Sequence, residues 1–360
     1  MNDDLARYHR QMLLPGFGAA GQRRLGSSTA LLLGCGALGS VTAEMLARAG
    51  VGHLVIVDRD FVELTNLQRQ VLFDEEDAAA SMPKAEAAKR KLARINSAVE
   101  VTAVVDDVNH SNIARFAAGA DVLVDGLDNL ETRYLANDFA VQTGTPFVYG
   151  AAVGTVGMAF TVLPHSPGGA AWDSPEEGGA TPCFRCLFED APPPGTTASC
   201  ETAGVVGSAT SIVANFQVTQ ALKIMTGNFA AVARTLLNLD LWNNQFLQLD
   251  VTVNGDCRCC RQRRFDFLDG KAGSSSTTLC GRNAVQLRRR QQAGDVDLDA
   301  VAARLAAATD VTVNEFMLRA RISEGDQSFE VTLFPDGRAI IKGTDDVAAA
   351  RSVYAKYVGN

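Results

Sequence analysis

The sequence predicts an α/β protein: a doubly wound, mostly parallel (Rossmann-like) sheet with antiparallel edge strands, followed by a small C-terminal α+β module. Three observations lead to this fold class. Short apolar runs alternate with helix-length segments in the first half of the chain, a glycine-rich turn joins the first run to the first helix, and a Ser- and Thr-rich segment precedes a tail of different character. Strands that alternate with helices are typical of a parallel sheet covered on both faces.

The first strand-helix-strand unit is predicted between residues 29 and 58. Thr29–Leu33 is an apolar run that leads into the turn Gly34–Gly39, and a helix is predicted over Ser40–Ala49 because its apolar residues recur at helical spacing. Glycines end that helix, and His53–Val57 is predicted as a second buried strand. Asp58 then follows directly after a strand.

The alternation continues along the chain. The next predicted elements are a helix at Lys84–Ile95, a strand at Val99–Val105, a helix around Asn112–Ala118, a strand at Asp121–Asp125, a helix at Leu130–Gln142 and a strand at Pro146–Tyr149. After these come a strand at Met158–Leu163, a loop over residues 165–179 too rich in Gly and Pro to pack, a long apolar helix at Val205–Met225, and two edge strands at Leu236–Leu239 and Phe246–Val251.

A domain boundary is predicted near residue 270, because Lys271–Thr278 has the composition of a linker. We expect a larger domain over residues 1–270, a linker over residues 271–283 and a small α+β domain over residues 284–360. The elements predicted in the small domain are a helix that carries Leu298 and Leu305, strands near Phe316–Ile322, Phe329–Phe334 and Ala339–Lys342, and a last helix at Val347–Val358.

Composition narrows the function classes. The chain is 47% hydrophobic and 21% charged with a net charge of −8, which is typical of a globular protein and argues against nucleic acid as a partner. No apolar run is long enough to cross a bilayer and the first ten residues are polar, so we expect a cytoplasmic protein with no membrane association. Cytoplasmic thiols stay reduced, and the eight cysteines are therefore expected as metal ligands, nucleophiles or core thiols.

The turn after the first strand predicts a nucleotide site. Gly34, Gly36 and Gly39 form G-x-G-x-x-G between a strand and a helix, where backbone N–H groups and the helix dipole attract a phosphate. Asp58 ends the second strand, where a carboxylate can accept both ribose hydroxyls. The pattern suits ATP and NAD equally, and a tight turn without a ligand is the plain structural alternative.

Cations and an acid separate these possibilities. Asn66-Leu67-Gln68-Arg69-Gln70, Pro83-Lys84 and Asp128-Asn129 supply the Arg, Lys and carboxylate that displacement at phosphorus requires, whereas hydride transfer needs no such set. Asp128 is the expected Mg²⁺ ligand, because the carboxyl ends of strands line the ligand crevice in doubly wound sheets. Each residue also has a plain alternative: Arg69 or Lys84 as a surface charge, and Asp128-Asn129 as the cap of the next helix.

A family resemblance follows from these motifs taken in order. The motifs are Tyr8-His9-Arg10-Gln11, Gly34–Gly39, Asp58-Arg59-Asp60, Asn66–Gln70, Pro83-Lys84 and Asp128-Asn129. Over about residues 5–265 the chain resembles the MoeB/ThiF/HesA adenylyltransferases that activate sulfur-carrier proteins, the bacterial branch of the ubiquitin-activating-enzyme superfamily.

The resemblance implies ATP and Mg²⁺ as cosubstrate and cofactor, and a ubiquitin-like sulfur carrier ending in Gly-Gly as partner. The carrier's terminal carboxylate would attack the α-phosphate, giving an acyl-adenylate and pyrophosphate. Arg10 would reach the phosphates from the other subunit of a homodimer. The residues implied in nucleotide and Mg²⁺ binding are Gly34, Gly36, Ala37, Gly39, Asp58, Asp60, Asn66, Arg69, Gln70, Lys84, Asp128 and Asn129, with Asn66, Arg69, Lys84 and Asp128 also catalytic. Ala37 replaces a Gly of some members, and the stretch between Arg69 and Lys84 is slightly long.

Two C-x-x-C pairs predict a structural zinc site. Four thiolates, those of Cys183, Cys186, Cys257 and Cys260, suit a closed tetrahedral Zn²⁺ site, and the resemblance carries the same four ligands. Two of them could instead be buried thiols. Cys259 is a rival for Cys260, although the spacing from Cys257 favours Cys260.

Cys200 lies in a Pro- and Gly-tethered segment just before a predicted helix, and the free N–H groups of a helix start can lower the pKa of a thiol. It resembles the family's crossover-loop cysteine, which is a nucleophile in some relatives and dispensable in others, and both alternatives stay open.

Cys35 and Cys280 have no partner at ligand spacing and are interpreted as structural or incidental.

The first hypothesis is therefore an ATP-dependent adenylyltransferase acting on a sulfur carrier. An NAD-dependent oxidoreductase leaves the Asn66–Gln70 segment and the cysteine pairs unexplained, and a non-catalytic nucleotide-binding scaffold would not need Arg69, Lys84 and Asp128. The tail lacks the Cys-bearing loop of a rhodanese, so a separate sulfur donor is expected. Thiamin and molybdopterin pathways both remain open. The segment Leu279–Asn283 followed by an α+β tail resembles the extensions of some thiazole-pathway members, and this resemblance favours thiamin thiazole synthesis.

Overall fold

The structure is a computed structural model of the 360-residue chain. It describes residues 3–165, 169–174, 176–191, 203–272, 278–279, 283–287, 296–305, 310–324, 327–335 and 337–358. The described residues form two compact units, a larger one up to residue 272 and a smaller one from residue 278 onward. No helix among the described residues is long and apolar enough to span a membrane.

An eight-stranded sheet forms the centre of the larger unit. Its strands are β1 (Thr29–Leu33), β2 (His53–Val57), β3 (Glu100–Val104), β4 (Val122–Asp125), β5 (Phe147–Val153), β6 (Val156–Val162), β7 (Leu236–Asp240) and β8 (Gln245–Leu249). They lie in the order β3-β2-β1-β4-β5-β6-β7-β8. The five strands from β3 to β5 pair in parallel, and β6, β7 and β8 complete the sheet by antiparallel pairing.

Helices cover both faces of this sheet. The helices described in this unit are α1 (His9–Met12), α2 (Gly18–Leu25), α3 (Ala37–Ala49), α4 (Glu75–Ala79), α5 (Lys84–Ile95), α6 (Ile113–Phe116), α7 (Leu130–Thr143), α8 (Phe184–Leu187) and α9 (Gly207–Thr226). On one face, Leu33 and Leu123 pack against Tyr134 of α7. On the other, Leu38 of α3 packs with Val213 of α9.

The strand order creates a switch point between β1 and β4. The chain runs from β1 outward to β3 and then returns to β4 on the opposite side of β1, so the loops after β1 and β4 leave the sheet in opposite directions. Both loops start at the carboxyl ends of buried strands, at Leu33 and Asp125, which are paired neighbours.

The smaller unit is an antiparallel sheet with two helices. Its strands are β9 (Thr278–Leu279), β10 (Ala284–Leu287), β11 (Asp310–Val313), β12 (Leu318–Glu324), β13 (Gln327–Leu333) and β14 (Ala339–Lys342), in the order β11-β12-β13-β14-β10-β9. Helices α10 (Leu298–Leu305) and α11 (Val347–Tyr357) cover one face, where Val301 and Val353 pack against Val331.

The predicted fold class is confirmed, with the parallel core, the antiparallel edge and a separate antiparallel sheet all present. Helix α3 begins at Ala37 rather than Ser40, because the last residues of the glycine motif already belong to the helix. The expectation that residues 165–179 are too rich in Gly and Pro to pack is wrong for their described part. Trp172 is buried and donates to the carbonyl of Pro164 at 3.0 Å, and Arg234 donates to the carbonyl of Gly178 at 3.0 Å.

Candidate functional site

Three glycines bring the loops after β1 and β4 into backbone contact. Gly34 has a φ of +87°, in the left-handed region that favours glycine. A Cβ added to Gly39 would lie 2.1 Å from the carbonyl oxygen of Gly34, and one added to Gly126 would lie 2.3 Å from the same oxygen. Side chains are therefore excluded from this contact, which lies at the switch point where doubly wound sheets bind ligands.

Helix α3 starts immediately beyond this contact. Gly36 is its N-cap and Ala37 is its first residue. The N–H groups of a first helical turn have no acceptor within the helix, and the positive end of the helix dipole lies there. The glycine turn therefore has backbone donors suited to a phosphate, and Ala37 offers the same backbone N–H as the Gly that some members have at this position.

Asp58 lies beside the glycine turn. Its Oδ2 accepts a hydrogen bond from the backbone N–H of Cys35 at 2.6 Å, and its Oδ1 accepts one from Asp60 at 2.7 Å. Burial raises the pKa of Asp58, and the nearby ammonium of Lys84 opposes that rise. A carboxylate has about four lone-pair positions, so Asp58 keeps capacity for ribose hydroxyls. Burial also raises the pKa of the Cys35 thiol, which is thus unsuited to act as a nucleophile.

Lys84 is the first residue of α5, and its ammonium points back toward the same strand end. Lys84 Nζ lies 3.1 Å from Asp60 Oδ2, and the Lys84 side chain is only 7% exposed. The slightly long stretch between Arg69 and Lys84 accommodates helix α4, which the sequence did not predict. The structure thus brings Lys84 to Asp58 and Asp60.

The Asn66–Gln70 segment forms a turn next to the glycine motif. Asn66 Oδ1 accepts from the N–H of Glu63 at 3.2 Å, and Arg69 Nη1 donates to the carbonyl of Thr65 at 3.1 Å. Gln70 is buried, and its Nε2 would lie 3.9 Å from a Cβ added to Gly36. Its Oε1 has no hydrogen-bond partner within the described residues. Buried amide oxygens are usually hydrogen-bonded, so this one is available to a bound ligand or water.

Asp128 and Asn129 form the tip of the β4–α7 loop. Asn129 Oδ1 accepts from the N–H of Thr132 at 2.9 Å. Asn129 therefore caps α7, which was the structural alternative given for Asp128-Asn129 in the sequence analysis. Its Nδ2 lies 3.4 Å from Asp128 Oδ1, and Asp128 is exposed. An exposed carboxylate on the loop that contacts the glycine turn is suited to hold a hard cation beside phosphates.

A buried ion pair lies beneath this loop, and neither residue was assigned a role from the sequence. Arg133 Nε donates to Asp125 Oδ2 at 2.9 Å, and Asp125 is fully buried. Burial raises the pKa of Asp125, and the Arg133 guanidinium opposes that rise. The available signal was a charged residue ending an otherwise apolar strand, followed eight positions later by an arginine on the next helix.

Arg10 lies at the other end of α3. Its neighbour Gln11 donates from Nε2 to the carbonyl of Ala49 at 2.7 Å, and Ala49 is the last residue of α3. A helix of this length spans about 20 Å. The exposed Arg10 side chain is therefore separated by a helix length from the glycine turn of its own chain.

The two cysteine pairs meet in one cluster. The Sγ atoms of Cys183, Cys186, Cys257 and Cys260 all lie within 4.8 Å of one another, and three of the pairs are 3.5 to 3.9 Å apart. Tetrahedral ligands at a Zn–S distance of about 2.3 Å are about 3.8 Å apart, so the donor set fits a four-coordinate metal. Cys259 is buried but is not one of these four.

The structure thus brings several of the predicted site residues together at the carboxyl end of the parallel strands. They are the residues of the glycine turn, Asp58, Asp60, Lys84, Gln70 and the Asp128 loop. Asn66 and Arg69 belong to the same turn as Gln70, and Arg10 is remote within one chain. Cys200 and Cys280 lie outside the described residues.

This fold and site define a nucleotide-binding α/β enzyme. A family model described as ThiF family matches residues 8–259. The chain therefore belongs to the ThiF family, and the predicted membership of the MoeB/ThiF/HesA adenylyltransferases is confirmed.

Curated relatives agree with this family. Sulfur carrier protein ThiS adenylyltransferase of Bacillus subtilis is 42% identical over 98% of this chain and 99% of its own length. SAMP-activating enzyme E1 of Haloferax volcanii is 38% identical over 74% of this chain and 92% of its length. Adenylyltransferase and sulfurtransferase MOCS3 of Mus musculus is 37% identical, and the match covers 77% of this chain and 58% of that protein.

Solved structures share the fold. The crystal structure of E. coli MccB with ATP has a TM-score of 0.58 and 21% identity, and the match covers 71% of this chain and 74% of that one. At this identity the similarity concerns the fold alone.

Proposed function

We propose that this protein uses ATP to adenylylate the C-terminal Gly-Gly carboxylate of a ubiquitin-like sulfur-carrier protein. The observation that carries the proposal is the convergence of the glycine turn, Asp58 and the Asp128 loop at one switch point. The relatives named as adenylyltransferases, one of them for the sulfur carrier protein ThiS, support the same reaction.

In this reaction a bond forms between a carboxylate oxygen of the carrier and the α-phosphorus of ATP, and the bond from that phosphorus to pyrophosphate breaks. Catalysis of such a displacement consists mainly of positioning and charge neutralisation. Asp58 would accept the ribose hydroxyls, and the first-turn N–H groups of α3, with Asn66, Arg69, Gln70 and Lys84, would bind the phosphates. Asp128 would hold Mg²⁺, which when bound neutralises phosphate charge.

Arg10 is proposed to act on the second subunit of a homodimer. Its separation from the glycine turn of its own chain by the length of α3 supports this role, because a residue at that distance serves a site only if another chain presents it. The proposal makes the active site incomplete in a single chain.

The cysteine cluster is proposed to hold a structural Zn²⁺. Four sulfur donors at tetrahedral separations leave no position for substrate, so the metal would link two chain segments and contribute folding energy. Its ligands would be Cys183, Cys186, Cys257 and Cys260.

The carrier is proposed to be of the ThiS type. The match to the Bacillus subtilis relative extends over 98% of this chain and so includes the smaller unit, whereas the match to MOCS3 covers only 58% of that adenylyltransferase and sulfurtransferase. This contrast supports a thiamin-pathway carrier and a sulfur donor supplied by a separate protein. A covalent step at Cys200 remains a proposal that rests on its sequence context.

ATP–pyrophosphate exchange in the presence of candidate carriers tests the proposal. Exchange should require Mg²⁺ and a carrier with an intact Gly-Gly end, and a carrier lacking its last glycine is the matched control. Asp128→Ala should abolish exchange without changing the melting temperature, because Asp128 is exposed and packs into no core. Binding of NAD but not ATP, with no exchange for any carrier, would contradict the proposal.

A further inference from the structure

The β4–α7 loop is held by a buried ion pair whose bonds go to the backbone just before Asp128. Asp125 Oδ1 accepts from the N–H of Leu127 at 2.8 Å, and Arg133 Nη2 donates to the carbonyl of Leu127 at 2.6 Å. Both polar groups of Leu127 are thus bonded by the two members of one ion pair. The peptide that leads into Asp128 has little freedom to rotate.

The same pair reaches the neighbouring strand. Arg133 Nη2 lies 3.3 Å from the carbonyl oxygen of Gly150, and Asp125 Oδ2 lies 3.4 Å from the N–H of Gly150. Arg133 also places its guanidinium 5.6 Å from the ring centroid of Tyr149. These contacts therefore attach the loop to the buried centre of the sheet.

Helix α9 supplies a third buried contact. Gln217 is fully buried and donates from Nε2 to the carbonyl oxygens of Asp125 at 2.8 Å and Val148 at 3.1 Å. A Cβ on Gly207, the first residue of α9, would lie 3.5 Å from the Cα of Arg69. One network thus links the loop that carries Asp128 with the helix that contacts the Arg69 turn.

Stability alone is a poor reason for this arrangement. Removing two charges from water costs several kcal/mol per ion, and an apolar pair of similar volume is often at least as stable. What an apolar pair cannot do is bond both the N–H and the carbonyl of one loop residue, and so hold two successive peptide groups, while also bonding the adjacent strand. The pair therefore contributes a fixed loop geometry that packing would not supply.

We propose that Asp125 and Arg133 are positioning residues: their ion pair fixes the backbone on both sides of Leu127 so that the Asp128 carboxylate is presented in one orientation to the metal–nucleotide complex. The inference rests on the proposed role of Asp128. Groups that orient a metal ligand typically change metal affinity or activity by about 10–100-fold when they are lost.

Arg133→Lys and Asp125→Asn test the proposal. Lysine keeps the charge but lacks the planar fork that bonds Asp125 and Leu127 together. Asp266→Asn is the matched control, because Asp266 lies 3.8 Å from Arg185, a second buried arginine of the same unit that is paired near the cysteine cluster. Any general loss of stability from breaking an ion pair of a buried arginine should then be visible in the control.

Two readouts separate positioning from stability. Calorimetric binding of ATP to the folded full-length variants should weaken by about 10-fold or more with Mg²⁺ present, and should stay at the wild-type value without Mg²⁺. In carrier-dependent exchange, kcat should fall about 10–100-fold, the half-saturating Mg²⁺ concentration should rise, and KM for the carrier should stay unchanged. Asp266→Asn should leave all of these values unchanged.

The double variant Asp128→Ala with Arg133→Lys tests whether Arg133 acts through Asp128. If Arg133 acts through Asp128, the second change should have no further effect on Mg²⁺-dependent ATP binding. Additive losses would overturn the proposal, as would Arg133→Lys and Asp125→Asn binding Mg²⁺ and ATP as the control does. If neither variant folds while Asp266→Asn does, the pair is structural and the proposal is also overturned. Wild-type exchange by Asp128→Ala itself would instead contradict the proposed role of Asp128.

Discussion

Asn137 donates a hydrogen bond from Nδ2 to the sulfur of Cys259 at 3.3 Å, and its Oδ1 accepts one from the N–H of Phe184 at 2.8 Å. Phe184 follows Cys183 directly, so this one buried side chain of α7 contacts both cysteine segments. The sulfur of Cys259 is thereby engaged with α7 and lies outside the four-sulfur cluster.

The first prediction concerns this difference between adjacent cysteines. Wild-type protein should contain about one Zn²⁺ per chain by metal analysis, and Cys257→Ser or Cys260→Ser should lose it together with several kcal/mol of stability, because structural zinc contributes folding energy directly. Cys259→Ser should retain the metal and lose only a little stability, since serine also accepts from Asn137. Equal zinc loss in Cys259→Ser and Cys260→Ser would show that the wrong thiol has been assigned.

The second prediction concerns Lys84. Lys84→Met should lower carrier-dependent exchange about 10²–10³-fold, because it removes a preorganised cation from the reacting phosphates. It should also lower the free energy of unfolding by about 1–3 kcal/mol, since Asp60 loses its nearest cation. Lys89→Met on the exposed face of the same helix is the control and should match wild type in both assays. Full exchange activity in Lys84→Met would remove Lys84 from the phosphate site.

The third prediction concerns sharing of Arg10 between subunits. Arg10→Ala and Lys84→Met should each be inactive alone, and a mixture refolded together should recover about a quarter of wild-type exchange, because half of the dimers contain one intact site. Light scattering and mass spectrometry of differently tagged chains confirm that heterodimers form. Heterodimers without recovered activity would mean that Arg10 acts within its own chain or has no catalytic role.

The fourth prediction concerns the pH dependence of stability. Burial raises the pKa of Asp138 from 3.8 to about 6, and its Oδ2 accepts from the N–H of Phe267 at 3.0 Å. Because the pKa of Asp138 is higher in the folded state than in the unfolded state, protonation of Asp138 favours the folded state. The resulting stabilisation is complete below the unfolded-state pKa and is lost as pH rises through about 6. Relative to Asp138→Asn, wild type should therefore lose about 1 kcal/mol of unfolding free energy between about pH 5 and about pH 7.5.

Urea unfolding of both proteins at the two pH values measures this difference. Asparagine keeps an oxygen for Phe267, and comparison with the variant cancels the pH dependence of the rest of the molecule. A constant gap between the two proteins would show that Asp138 titrates alike in the folded and unfolded states.

Much of the larger unit could be predicted because its signals are local. Strands β1 and β2 have the predicted bounds, since each is an apolar run closed by glycine or aspartate. Helix α5 likewise begins at Lys84, where Pro83 fixes the start. The short helices α1, α2 and α4 were not predicted, because each is at most eight residues long and buries too few residues to give a clear apolar periodicity.

The site was predictable by residue type but not by connection. The glycine motif and Asp58 can be identified from sequence, because backbone approach and strand-end position dictate the residue. The pairing of Asp125 with Arg133, the bond from Gln217 to two strand ends and the separation of Cys259 from its neighbours depend on which elements the fold places side by side. No local pattern contains that information.

The contact among Gly34, Gly39 and Gly126 restricts how this site can change by mutation. In each case the added Cβ would meet a main-chain oxygen or carbonyl carbon, not a side chain that a second substitution could shorten. These three positions, which lie on two different loops, are therefore constrained jointly, and suppressor screens seeded with alanine at any one of them should return only true revertants. Laboratory evolution toward other nucleotides or carriers would therefore have to keep these three glycines and change residues of the surrounding loops.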